Sequence, residues 1–251
     1  MTMSEHLSLE LVEPAHFERN FIRQVVCELR FPTNFDLDGV RPPLEFAKAL
    51  RKEYPNYEAR NEVNMGLGGV AKANLHAFSS KGMRWTVTIR ASVISIETTQ
   101  YSSYRDFQDR IASVVHAARK VIDSDFFTRI GLRYINVVPY DSDEIKDWIN
   151  PDLVGPLGDG VYGSVQEYSQ RVIGSIEGGG NYLFQHGVGM PDGVNARGYA
   201  LDLDFSENDV SVEDAVSVAE KLHRYQFSMF MWALGDKAKT YLSESSKMNR
   251  S

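Results

Sequence analysis

The chain alternates apolar and polar residues in several short runs, and that alternation predicts strands. Over 23–31, Val25, Cys27, Leu29 and Phe31 fall on one side, with Glu28 and Arg30 on the other. Pro32 ends the run, because proline gives no donor to a strand ladder. Over 84–90 the apolar set is Trp85, Val87 and Ile89, opposed by Arg84, Thr86, Thr88 and Arg90. After a tight connection near Ala91-Ser92, Ile94 and Ile96 alternate with Ser95 and Glu97, so the two runs predict a hairpin. Over 128–138, Ile130, Leu132 and Tyr134 oppose Arg129, Gly131 and Arg133. Three more strands are predicted over 165–176, 182–188 and 199–205. In the last, Tyr199, Leu201, Leu203 and Phe205 alternate with Ala200, Asp202 and Asp204. One or two strands are expected over 56–80, interrupted by Gly66, Gly68 and Gly69, and a loop over 190–197.

A different period predicts the helices. Pro42-Pro43 suit a first turn, and Leu44, Ala47, Leu50 and Tyr54 share one face until Pro55. Over 104–122, Tyr104, Phe107, Ile111, Val114, Val115, Ala118, Val121 and Ile122 form a continuous stripe. Ser103 is placed to cap this helix, with Asp106 positioned to reach back. A short helix is expected over 143–149, closed by Asn150-Pro151. A last long helix is expected from a Ser211 cap, with Val212, Val216, Ala219 and Leu222 as its stripe. Residues 227–234 are apolar nearly all round, which predicts deep burial.

The order of elements repeats. Leu29-Arg30-Phe31 ends one apolar run and Leu132-Arg133-Tyr134 sits in a similar one, and Ser-x-x-Asp opens a long helix after each, at Ser103 and Ser211. The predicted fold is α+β: one antiparallel sheet from two tandem β-α-β-β-β-α units, with the long helices on one face and the other face open. Its parts are a loose polar leader over 1–20, a first unit over 21–124, a second over 125–235, and a fraying polar tail over 236–251. The two units form one domain. Saddle-shaped tandem repeats of the TATA-binding type and helix-grip folds share this layout, a likeness of architecture that implies no function.

Composition narrows the class. With 251 residues, 43% of them hydrophobic, the chain can bury a core without metals or disulfides. Its single cysteine, Cys27, cannot form an internal disulfide. No apolar stretch approaches the ~20 residues that span a bilayer, and the first residues lack the pattern of a signal peptide. A cytoplasmic setting, with no membrane partner, is the expectation. A net charge of −7 argues against broad phosphate-backbone binding.

The alternation assigns Glu28, Arg30, Arg84, Arg90, Glu97, Arg129, Arg133, Asp202 and Asp204 to the open face. Their charges either compensate across strands or form a recognition surface. In the second case Arg30 and Arg133, related by the repeat, grip a carboxylate-bearing partner. Asp202 and Asp204 also satisfy the spacing of paired carboxylates, but no third ligand is evident. The six histidines are scattered singly, with His116 and His223 at similar depths in the two long helices. No metal motif, P-loop or nucleophile elbow is present, so the expectation is no metal and no cofactor. Cys27 fits a small core residue.

Residues 25–32, Arg84-Trp85-Thr86-Val87, residues 97–101 and above all Arg129-Ile130-Gly131-Leu132-Arg133-Tyr134-Ile135-Asn136, followed by Ile149-Asn150-Pro151, carry a resemblance. They resemble a sporadically distributed bacterial family of similar length that has no assigned activity. The resemblance covers most of the chain and implies no mechanism. The family's patchy distribution resembles that of accessory genes in defence or toxin–antidote systems. The reading is therefore a non-catalytic binding or regulatory protein whose partner is another protein. Two alternatives stay open: an enzyme whose site is assembled from Asp202, Asp204, Glu97 and a histidine, and nucleic-acid binding by the open sheet face. The two-fold-like repeat also suits a homodimer.

Overall fold

β1 (Ile22–Arg30) buries Val25, Cys27 and Leu29 and exposes Arg30, as strict alternation demands. A 3-10 turn (Phe35–Asp38) and α1 (Leu44–Leu50) follow. β2 (Asn56–Gly66) and β3 (Gly69–Ser79) are paired along their whole length, so the region expected to hold one or two strands holds two long ones. Gly66 and Gly69 form the last pair of that hairpin and do not interrupt a strand. β4 (Trp85–Arg90) and β5 (Val93–Thr98) make the predicted hairpin, in the register Val87↔Ile96. α2 (Tyr104–Ala118) starts at the Ser103 cap, whose hydroxyl accepts from the Asp106 amide at 3.2 Å. The Asp106 carboxylate does not reach back to the cap and accepts instead from Arg110 and Ser102.

The second half contains β6 (Phe126–Val138), the short helices α3 (Ile145–Trp148) and α4 (Pro151–Gly158), β7 (Tyr168–Ile176), β8 (Gly180–Val188), β9 (Tyr199–Ser211), α5 (Ala215–Ala233) and α6 (Asp236–Ser243). β9 runs six residues further than the apolar alternation indicated, through Ser206, Glu207, Asn208 and Asp209. Ladder hydrogen bonds need no apolar side chain, so this extension left no pattern to read. Ser211 closes a turn with Asp214 ahead of α5, and the helix opens where the Val218 amide donates to the Asp214 carbonyl.

These elements belong to a computed structural model that describes residues 5–66, 69–139, 144–189 and 198–244. The loop expected over 190–197, Gly68 and Asp143 lie outside the described residues. Among the described residues nine strands form a single antiparallel sheet in the order β2-β3-β4-β5-β1-β6-β9-β8-β7. The two halves are unequal strings: four strands separate α1 from α2, where three were expected, and three lie between α4 and α5. What the halves share is placement, because β1 and β6 are neighbours and each adjoins the last strand of its own half.

The chain divides into two compact units that interleave in sequence and do not follow the expected boundary at residue 124. One comprises Gln24–Leu132 and Ser206–Lys221. Its core lies between the apolar side of β1, β4 and β5 and the stripe of α2, with Trp85 against Phe107 at 5.3 Å between ring centroids. The other comprises the described parts of 1–23, 133–205 and 222–251. Here α5 lies on β6 and β9. His223 meets the Tyr134 ring at 5.8 Å, and Gln226 donates to the Leu203 carbonyl.

The described parts of the chain's two ends are tied to this unit. The Leu7 amide donates to the Ser175 carbonyl at 2.8 Å, and the Val12 amide to the Ser228 hydroxyl at 3.0 Å. Phe17 stacks on Phe227. α6 buries Ala238 and Leu242, and Tyr241 stacks on Phe21 at 5.3 Å. Three apolar residues at helical spacing suffice to dock a helix whose other positions are polar.

Candidate functional site

The polar side of β1, β4 and β5 in the Gln24–Leu132 unit is built from rows of residues in register. Glu28 faces Ser95, which faces Thr88; Val26 faces Glu97, which faces Thr86. Each row is tied across the strands. Thr88 and Ser95 hydroxyls are 2.7 Å apart, Gln24 donates to Glu97 at 3.1 Å, and Ser79 and Thr86 hydroxyls meet at 3.3 Å. Glu28 is the hub of this face. One of its oxygens accepts from Arg30 Nε at 2.7 Å and from Arg129 Nη1, on β6, at 3.2 Å. Gly131 permits the second contact. A Cβ there would lie 2.2 Å from Arg129 Nη1, so a side chain at 131 would make this flexible guanidinium shift from its place toward Glu28.

Arg30 itself is only half committed. Its side chain is 51% exposed, and among the described residues it is held through Nε alone. Its Nη fork meets no acceptor among the described residues. The shared carboxylate fixes the head group while leaving the planar face that binds carboxylates in pairs.

Arg133, its expected counterpart, differs. In the other unit Arg133 donates to both oxygens of Asp202, from Nε at 2.8 Å and Nη2 at 2.5 Å. Asp202 is buried, its side chain only 9% exposed, so it is not the solvated carboxylate that the alternation implied. The Asp202 hydrogen bonds, with the nearby charge of Asp204, hold the Arg133 guanidinium above its ordinary pKa despite partial burial. The pair is a bidentate clamp between β6 and β9 that engages both Asp202 oxygens. Among the described residues no group of three His, Cys, Asp or Glu side chains could hold a metal.

Arg84 and Arg90 also separate. Arg90 remains on β4 opposite Val93. Arg84 lies one residue before β4, so the strand's alternation does not govern it. It lines a cleft of about 400 Å³ with Glu53, Ser80, Lys81, Trp85 and Arg110. The Lys81 and Arg84 side chains make no ion pair or hydrogen bond among the described residues.

The two helix histidines are not equivalent: His116 is exposed, whereas His223 is buried between the Tyr134 and Phe227 rings. Burial pulls the His223 pKa down to about 4. His186 gave no signal in the sequence, yet it is fully buried, with Nδ1 2.6 Å from the Tyr199 hydroxyl and its ring stacked on Phe184 at 4.7 Å. Burial lowers it to about 4 as well. Its partner comes from the next strand, so no local spacing could have marked the pair. Cys27 is buried, and burial, reinforced by Glu28, pushes its thiol up to about 12, which makes it an inert core residue. No helix among the described residues is long and apolar enough to cross a membrane. Compared with known protein families and with curated proteins, the chain matches no family model and no curated sequence.

Proposed function

We propose that the chain is a non-catalytic cytoplasmic binding or regulatory protein that presents the polar side of β1, β4 and β5 to a carboxylate-bearing protein partner. The observation that carries this reading is Arg30, half exposed, fixed at Nε by Glu28 and left with an uncommitted Nη fork. A cation whose orientation is already set loses less freedom on binding than a solvated side chain does. The hydroxyl and amide pairs around it hold the rest of the surface in one arrangement. Glu28 and Glu97 lie among the cations, and that dilution favours a protein surface over a phosphate backbone. The resemblance to a patchily distributed bacterial family suits an accessory role in defence or toxin neutralisation.

The test is affinity capture from the source organism with the wild-type chain, Arg30→Ala and Arg133→Ala. The partner recovered by wild type should be lost with Arg30→Ala and retained with Arg133→Ala, whose guanidinium is already bound by Asp202. Equal recovery with Arg30→Ala refutes the reading.

A further inference from the structure

A cleft beside the β3–β4 turn shares no residue with the Arg30 cluster. Three cations, Lys81, Arg84 and Arg110, line it with one carboxylate, Glu53, and Arg110 is already paired with Asp106, so one positive charge is left in surplus. Arg110 is fixed in place. Its guanidinium lies 4.8 Å over the ring of buried Trp85, Nε donates to Asp106 at 3.1 Å and Nη1 to the Tyr54 hydroxyl at 3.3 Å. Nη2 is left as a donor among the described residues. The Ser80 hydroxyl oxygen accepts from the Trp85 amide at 3.1 Å, so its own O–H proton is available to a second acceptor. The Lys81 and Arg84 side chains make no ion pair or hydrogen bond among the described residues, although each brings a full charge to one concavity.

We infer that this cleft binds the phosphate group of a small phosphorylated compound. The donors decide between anions. Lys81, Arg84, Arg110 Nη2 and the Ser80 O–H offer more donors than the two oxygens of a carboxylate take up, whereas a phosphate monoester brings three acceptor oxygens and about two negative charges at neutral pH. Size decides between a bare ion and a molecule. A cleft of about 400 Å³ falls within the roughly 300–1,000 Å³ typical of small-molecule sites. Arg110 and Arg84 supply planar donor groups, Lys81 a point charge and Ser80 a neutral donor, which is the mixture that phosphate oxygens accept.

Titration calorimetry at low ionic strength, with glycerol phosphate, inorganic phosphate and acetate as probes, tests this. Glycerol phosphate should bind saturably, more tightly than inorganic phosphate and far more tightly than acetate. Lys81→Ala/Arg84→Ala should weaken glycerol phosphate binding about tenfold or more, since each charged hydrogen bond is worth about that factor. The thermal midpoint of this variant should stay unchanged, because neither side chain bonds to any of the described residues. Glu53→Gln should tighten binding severalfold by removing the opposing charge. Absence of saturable heat from wild type overturns the inference. So do an unaltered Kd in the double variant, acetate binding as tightly as glycerol phosphate, and inorganic phosphate binding as tightly as the monoester.

Discussion

Acidification should destabilise this protein in a window set by two buried imidazoles. His186 and His223 are neutral in the fold because burial lowers both from 6.5 to about 4. A protonated His186 would need acceptors at both nitrogens, yet only Nδ1 has a neighbour, the Tyr199 hydroxyl, and Nε2 is buried with no partner among the described residues. The unfolded chain therefore takes up protons first as pH falls. Stability is complete above about pH 6.5, is lost progressively between about 6.5 and 4, and levels off below that for these groups. At pH 5 the linkage integral gives about 2 kcal/mol lost per histidine, so about 4 kcal/mol for the pair. That is a large share of the roughly 5–15 kcal/mol typical of a folded domain. Glu45 and Glu144, lowered from 4.5 by hydrogen bonds from Lys48 and Lys237, begin to lose their contribution only as pH falls through that ordinary value, below the pH 5 end of the assay. Urea unfolding at pH 8, 7, 6 and 5 measures the effect. His186→Gln cannot titrate and should remove about half of the pH-dependent loss, whatever its own offset at pH 8. A flat wild-type profile between pH 7.5 and 5, or an unchanged slope in His186→Gln, would refute the reasoning.

Other expectations concern the strand faces and the core. Arg133→Ala should cost about 2–4 kcal/mol in urea unfolding, because it strands a buried carboxylate; Asp202→Asn should cost less, because water reaches the half-exposed guanidinium it leaves. Gly131→Ala should push Arg129 off Glu28 and cost about 1 kcal/mol, and the penalty should largely vanish in an Arg129→Ala background if the clash with that guanidinium is its cause. Cys27 should resist thiol reagents in the native state and react at the global unfolding rate, since it is fully buried with its thiol pushed up to about 12. Rapid labelling at neutral pH would show that β1 opens locally.

Strict alternation made most strands legible. Val25, Cys27 and Leu29, or Ile130, Leu132 and Tyr134, could face only one way. The α2 stripe and its Ser103 cap were equally plain, because both signals are local. Three kinds of feature escaped. Polar strand extensions such as 206–211 are held by backbone pairing, which leaves no side-chain pattern. The described terminal segments dock through a few residues, Phe17 and Tyr241 among them, too sparse to register as a period. Partnerships across strands were invisible, because a one-dimensional pattern assigns a residue to a face without saying what lies beside it there.

That last limit governs the candidate sites. Periodicity alone assigned Arg30 and Arg133 to polar strand faces, and it determined that this is an α+β chain with an antiparallel sheet. It could not say that Arg133 is clamped on Asp202 while Arg30 keeps an open fork, nor that Arg84, one residue outside β4, turns into a cationic cleft. Those outcomes depend on distances between residues remote in sequence. Hydrophobic burial sets which side of a strand a residue occupies, but charge pairing acts over a few ångströms and is decided only once the strands are aligned.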